Sequence, residues 1–433
     1  MNTDAFRLEI GSFPVQRLAF ASETRYQDGT LTIDRTALLA ALAEPQAMAQ
    51  LDMHLAHPGE SCRLVHVLDT VAPQVKVRGR STVYPGFFGT SMPAGDGRTH
   101  RLPGATVVVC ATFPQPTSGA LSPVEATIDM SGPAAPYCIA ADTANLVLVC
   151  QPAPGVTNAE FDAALHRVKL KAAVYLARAT AALEPPRVDT YALYPVAPDL
   201  PRVVYVNLLH QQGLMAQTFL YGQHTQGLEP TFLHPNEMLD GALVNGNYRA
   251  PARAATYGHT HNFLLRELYR RHGHDIQFVG VVIGRGWQDS QILKERQGWM
   301  MARMARLMGA QVALISADVG GTGGNNTIDF MQTIHACEQM GVQTVAVMQE
   351  SGNPDGSDPT VVDCVPEASA IVSVGGVGWH TPAAPAVERV LGGTTVRPSI
   401  AEEPRDAAGP LAVECWYGAI WQRAELGLSA VDT

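Results

Sequence analysis

The second half of the chain sets the tightest limit on its fold. From about residue 202, apolar runs of strand length (RVVYVNLL, PTFLH, IQFVGVVIG, VALISAD, QTVAVMQE and ASAIVSVGG) alternate for the most part with helical stretches such as SQILKERQGWMMARMARLMG and TIDFMQTIHACEQMG. A strand that is apolar throughout has to be covered on both faces, which is the situation of a parallel sheet between layers of helix. The pattern therefore predicts a doubly wound, mainly parallel α/β domain. In such sheets ligands bind beyond the carboxyl ends of the strands. The segments ADVGGTGGNN, ESGNPDG and HPNEMLDG, which follow three of these runs, are the first places to look for chemistry.

The first half has a different rhythm. Short branched segments (FRLEI, TLTI, RLVHVL, ATVVVCATF, NLVLVC) are bounded by Gly, Pro or Asp, as strands are, and a long helix is predicted over about 159–183, closed by Pro185 and Pro186. This half reads as β-rich α+β. The proline-rich stretch EPPRVDTYALYPVAPDLPR marks the boundary, giving an α+β domain over 1–200 and a Rossmann-like α/β domain over 201–433.

Charge and composition remove several function classes. With 46% hydrophobic and 16% charged residues the chain is too apolar for disorder, and its net charge of −10 without a basic run argues against nucleic acid as a partner. No apolar run reaches the roughly 18 residues that span a bilayer, and the start MNTDAFRLEIG lacks a basic and then apolar leader, so the expectation is a cytoplasmic protein with no membrane contact. Seven cysteines, at 62, 110, 138, 150, 337, 364 and 415, include no C-x-x-C pair and read mostly as small core residues.

Several groups can carry chemistry. The run Gly320-Gly321-Thr322-Gly323-Gly324-Asn325-Asn326-Thr327 joins a strand to a helix capped at Asn326 or Thr327. Gly323, Gly324 and Asn326 can bring backbone N–H groups to a substrate carboxylate, or form only a flexible turn. The run lacks the Lys of a Walker A loop. Asp329 and Glu350, at neighbouring strand ends, can act as acid and base, although Asp329 can equally be a first-turn acid that complements the helix dipole. His259 and His261 form an H-x-H pair which, on an extended segment, faces one side and suits a divalent metal such as zinc. Solvated or capping histidines are the alternative. Arg98 can grip a carboxylate or form an ion pair. RRHGHD at 270–275 reads as a helix C-terminus.

These motifs together resemble the proprotein subunit of component B of the glycine, sarcosine and betaine reductases, with D-proline reductase more distant. The resemblance rests on HPGESCRLVHVLDTVAPQVKVRG, GRTH, IDMSGPAAPY, KLKAAVYLARA, QGLMAQTFLYG, DGALVNGN and LYRRHGHDIQFVGVVI, in family order from about residue 7 to about 350. It implies a heteromeric enzyme acting on a C–N bond of a small amino-acid-like or cyclic amide substrate, with a second reductase-B-like subunit as partner. It also implies a proprotein that cuts itself at a cysteine after an Asn-Gly-Asn-like turn, leaving a pyruvoyl group that activates the substrate amine before a partner's selenocysteine or cysteine attacks carbon.

This chain departs from that pattern. Tyr248 follows Asn245-Gly246-Asn247, and a phenol carried on a ring can neither attack the preceding carbonyl nor be eliminated from the β-carbon. An uncut chain without a pyruvoyl group is expected. Thr256 and Thr260, the nearest hydroxyls, stand outside the turn in sequence. The resemblance places His259 where relatives carry histidine, whereas His261 is particular to this chain, which raises a metal-dependent, hydrolytic variant in which His259 and His261 hold the ion. Tyr248, Arg249, His259, Asn326, Asp329 and Glu350 are the expected pocket: Arg249 or Arg98 for a carboxylate, His259 for metal or proton transfer, and Asp329 or Glu350 as base. A non-catalytic scaffold for a partner bearing the reactive thiol or selenol is the alternative.

Overall fold

The run RVVYVNLL folds as predicted, into a strand (Arg202–Leu209) buried along seven of its eight residues, and it forms the middle of the second-half sheet. The computed structural model of the chain describes residues 6–115, 126–249, 254–318, 325–350, 363–376, 384–396, 405–406, 411 and 415–421. Parallel to the 202–209 strand run Gln277–Arg285 on one side and Val312–Ala317 on the other, followed outward from the latter by Gln343–Glu350 and Ile371–Gly376. In chain order this is a 2-1-3-4-5 sheet, and the chain reverses direction across it between the first and third strands. The PTFLH segment does not extend the parallel set: Thr231–Leu233 pairs antiparallel with the 277–285 strand and forms the edge.

Helices cover both faces. Helices Gln291–Leu307 and Asn325–Gln339 lie on one side, where Met301, Ala305, Phe330 and Ile334 pack on Val204, Val206 and Ile315. Helix Phe263–Arg271 covers the other, with Leu264, Leu265 and Leu268 against Tyr205, Phe278 and Val281. Its end matches the structural reading of RRHGHD, because the His272 amide closes onto the Leu268 and Tyr269 carbonyls and Gly273 follows with φ of +83°.

The first half contains the expected sheets. One orders Arg187–Tyr191, Leu8–Ser12, Gly97–Arg101 and Gln74–Arg78. The larger orders Ala126–Asp129, Cys62–Val71, Ala105–Ala111, Ala144–Pro152 and Met48–Ala56, and its strand Cys62–Val71 is buried at all ten positions. The long helix runs over Asn158–Arg178, opened by a capping box in which Thr157 and Glu160 satisfy each other's backbone N–H groups. Six of the seven cysteines are buried, as their spacing suggested, and Cys364 is exposed. No helix among the described residues is long and apolar enough to cross a membrane.

Two connections tie the halves. A three-stranded antiparallel sheet of Ala216–Leu220, Gln223–His224 and Leu243–Asn247 places Val244 and Met215 in the first-half core. The chain also returns late: Arg389–Leu391 pairs with Cys62–Leu64, and Trp416, Tyr417 and Trp421 join the core beneath that sheet. Residues far beyond the proline-rich stretch near 200 therefore complete the first-half core.

His234 caps helix Pro235–Leu239: its ring Nδ1 accepts the Asn236 N–H at 3.3 Å, so the imidazole has to be neutral there, and burial lowers its pKa to about 4. The folded pKa lies below the unfolded value of about 6.5, so the unfolded chain takes up the proton first as pH falls. The cap's contribution is complete above about pH 6.5 and is lost towards pH 4, a change of order 3 kcal/mol at most. Urea titrations at pH 7 and pH 5 should show a loss of stability that shrinks in His234→Asn, whose amide oxygen caps at either pH.

Candidate functional site

The Asn-Gly-Asn-Tyr segment is not a turn in this protein. Leu243–Asn247 is a fully buried strand, because Asn245 and Asn247 pair with Thr218 and Ala216. Beneath it lies a buried carboxylate, Asp69, on strand Cys62–Val71. Lys169 Nζ donates to Asp69 Oδ2 at 2.6 Å and to the Asn245 carbonyl at 2.8 Å. Thr256 donates its hydroxyl to Asp69 Oδ2 at 2.5 Å and its amide to Oδ1 at 2.9 Å, and Thr256 Oγ1 accepts the Asn245 N–H at 2.9 Å. Thr256, eleven residues beyond Asn245 in sequence, is thus its neighbour in space.

Tyr248 points into the same layer. It is 1% exposed, donates its hydroxyl to Asp162 Oδ1 at 2.7 Å, and packs against Phe113 and His166. Burial, with Asp162 beside it, pushes its phenol well above the ordinary range. Its role here is to lock the strand to the 158–178 helix, and it offers no β-hydroxyl or β-thiol. The residue at the expected cleavage point therefore does not fit a pyruvoyl precursor.

Past Tyr248 the chain enters the crevice at the carboxyl ends of the first and third parallel strands. The side chain that organises it is Asp318, one residue beyond strand Val312–Ala317. Asp318 accepts from Thr218 Oγ1 at 2.8 Å, Asn207 Nδ2 at 3.3 Å and the His210 N–H at 3.4 Å. His259 is 1% exposed and holds Nε2 at 4.0 Å from Asp318 Oδ2. Its helix, Thr256–Thr260, is pressed against Trp421: a Cβ at Gly258 would stand 1.8 Å from the indole, so only glycine allows the approach. Arg249 donates from Nη1 to Gln212 Oε1 at 2.8 Å and stands over the Trp287 ring at 5.8 Å. The same ring meets His210 edge-on at 5.8 Å.

Four residues around this crevice carry buried polar atoms without a hydrogen-bond partner among the described residues: the amide of Gln211, Asn247 Nδ2, His259 Nε2 and Trp287 Nε1. Buried polar groups are otherwise satisfied as a rule, so a cluster of orphans at the switch point of a doubly wound sheet makes this crevice the candidate ligand site.

The other expected site residues fall as follows. His259 and Arg249 line the crevice. His259 and His261 do not share one side, because the segment is helical and positions two apart diverge by about 200°. His261 instead stacks on Tyr257 at 4.1 Å, with Nδ1 near the Tyr257 carbonyl. Among the described residues no group of three or more His, Cys, Asp or Glu stands close enough to hold a metal. The base expected at Asp329 is a saturated structural acid: it accepts from Trp287 N–H at 2.9 Å, from Gln288 N–H and from Lys294 Nζ at 2.7 Å. Arg98 pairs with Glu9 at 2.8 Å in the first-half sheet, where strand pairing sets Glu9 directly beside it. Asn326 lies in the first turn of helix Asn325–Gln339 and Glu350 ends its strand; their side chains, with Gly323 and Gly324, lie outside the described residues. Asp318, Gln211, Asn247 and Trp287 were missed. The strand-end segment ADVGG contained the first of them, and Trp287 had no signal beyond following a strand.

Comparison with known proteins places this arrangement. The model of the family described as glycine/sarcosine/betaine reductase component B subunits matches residues 6–407. The chain belongs to that family. A sarcosine reductase complex component B subunit alpha of Peptoclostridium acidaminophilum is 34% identical over 395 residues, 89% of each chain. The glycine reductase complex component B subunits alpha and beta of Acetoanaerobium sticklandii (strain ATCC 12662) are 32% identical over 395 residues, again 89% of each. A betaine reductase complex component B subunit alpha of Peptoclostridium acidaminophilum is 32% identical over 391 residues, 86% of this chain and 84% of that one. No solved structure matches. The resemblance to component B read from the motifs is borne out along nearly the whole chain.

The buried pair beneath the component B strand gives a direct test of how the site is held. Lys169→Met keeps the volume but leaves Asp69 charged and unpaired, which should cost about 3–5 kcal/mol. Double replacement of Lys169 and Asp69 by apolar residues should recover part of that loss, as read by urea unfolding.

Proposed function

We propose that the chain is the substrate-holding subunit of a heteromeric enzyme that cleaves the C–N bond of a small amino-acid-like substrate, and that it works uncut, without a pyruvoyl group. The observation that carries this reading is the polarity of the crevice: an aspartate, Asp318, with His259 beside it, and an arginine, Arg249, that pairs with Gln212 and with no carboxylate among the described residues. A zwitterion needs one group of each sign. The relatives' names give sarcosine, glycine and betaine, three compounds that place a carboxylate one carbon from a nitrogen.

In this reading Arg249 takes the carboxylate, Asp318 faces the nitrogen and His259 delivers the proton that leaves with the amine. The electrons come from a second subunit: its thiolate or selenolate bonds to the substrate carbon as the C–N bonding pair departs with nitrogen. His261, stacked on Tyr257, is given no ligand role. The loss of a β-heteroatom at Tyr248, and the bond that commits its phenol to Asp162, support the uncut state.

Two measurements test the proposal. The intact mass of the purified chain is expected at 46.3 kDa, and fragments with a junction between Gly246 and Thr256 would overturn the uncut state. His259→Ala, in the assembled complex and with an unchanged circular dichroism spectrum, is expected to lower turnover by roughly 10²- to 10⁴-fold. Unaltered turnover would remove His259 from the mechanism.

A further inference from the structure

Trp287 is held in a conformation that it would not choose. Its φ is +62°, in the left-handed region that bulky residues avoid at a cost of order 1–3 kcal/mol, and such strain persists only where the surroundings enforce it. The enforcement is visible. Asp329, buried on helix Asn325–Gln339, accepts the N–H groups of both Trp287 and Gln288, and its charge is balanced by Lys294 at 2.7 Å on helix Gln291–Leu307. From the other side Arg285 Nη2 donates to the Trp287 carbonyl at 3.1 Å. Three elements thus pin the two peptides that flank the Trp287 Cα.

The side chain so placed ends in a buried N–H that donates to nothing among the described residues. An indole N–H can only donate. The orphan at Asn247 is also a donor, because its Oδ1 already accepts the Arg249 N–H at 3.2 Å, which fixes Nδ2 as the free end. Arg249, between them, adds a guanidinium that burial has driven below its ordinary pKa and that only an anion would restore. Two neutral donors thus stand on either side of a cation whose side-chain acceptor is the neutral Gln212 amide, with no carboxylate paired to it among the described residues.

Resting on the substrate-holding reading above, we infer that Trp287 Nε1, Asn247 Nδ2 and Arg249 form a carboxylate-binding subsite in which Trp287 is the specificity-determining residue and Asp329, latched by Lys294, is its positioning residue. The subsite takes one oxygen pair of a small carboxylate and rejects the corresponding amide, whose NH₂ group would set its hydrogens against the Trp287, Asn247 and Arg249 donors. Asp329 does not touch substrate. It acts by holding the strained peptide that aims the indole.

The test is calorimetric titration of the full chain with N-methylglycine and with N-methylglycinamide, which lacks the carboxylate. Trp287→Phe keeps the ring against Arg249 and His210 and removes the N–H. The expected result is a loss of roughly 10- to 100-fold in affinity for N-methylglycine, the scale of a hydrogen bond to a charged group, with amide binding changed by less than about 3-fold. Asn247→Asp should produce the same selective loss in a variant that does not disturb the indole. Asp329→Asn should lower carboxylate affinity in the wild-type background and add nothing in the Trp287→Phe background, since it acts through that residue. Equal losses for both ligands would make Trp287 a packing residue and overturn the inference, as would no loss for either. Additive losses would overturn the latch. Failure of the wild-type chain to bind N-methylglycine at all, alone and with its partner subunit, would overturn the reading beneath it as well.

Discussion

The Asp69 carboxylate is the interaction on which the rest of the molecule depends. It is buried on strand Cys62–Val71 and gathers Lys169 from the long helix, Thr256 from the histidine-bearing helix and Tyr417 from the late return of the chain. Lys169 and Thr256 then both grip Asn245, one by its carbonyl and one by its amide. A charge with this many donors is satisfied, whereas the same charge with one donor removed is among the most expensive things a core can contain. Alternative packings of these four segments are thereby penalised, and the strand that leads into the crevice has one position.

The crevice inherits that rigidity. Its floor is supplied by strand ends, with Arg249 on one side and the turn that Asp329 pins at Trp287 next to it. Each polar wall residue is supported from behind: Asp318 by Thr218 and Asn207, Arg249 by Gln212, His259 by the contact of Gly258 with Trp421. Support of this kind fixes these side chains in advance, which is the condition under which a binding site loses little ordering entropy.

How much of this could be read from the sequence follows the range of the interactions. The parallel sheet was legible because a strand buried on both faces leaves a local signature, as in RVVYVNLL and VALIS, and the crevice position followed from the sheet. His259 and Arg249 were legible through their neighbourhood in the chain and the family likeness. The error at His261 came from assuming an extended backbone where the Thr256 hydroxyl and amide, both bound to Asp69, start a helical turn. Asp329 misled because an acid in a first helical turn near a strand end looks the same whether it faces substrate or a lysine on the adjacent helix. Asp318, Asn247 and Trp287 depend on contacts between segments about 30 to more than 100 residues apart, and Trp287 also on a positive φ that no pattern of residue types announces.

The late return of the chain bears on when the protein becomes competent. Tyr417 reaches Asp69 across 348 residues of sequence, and Trp421 closes on the helix of His259 from more than 150 residues further along. During synthesis most of the first-half sheet and the parallel sheet can form as they emerge, but the histidine has no indole behind it until Trp421 has left the ribosome. The wall around His259 is therefore completed only after both sheets, and a chain stopped short of Trp421 would present the parallel sheet without it.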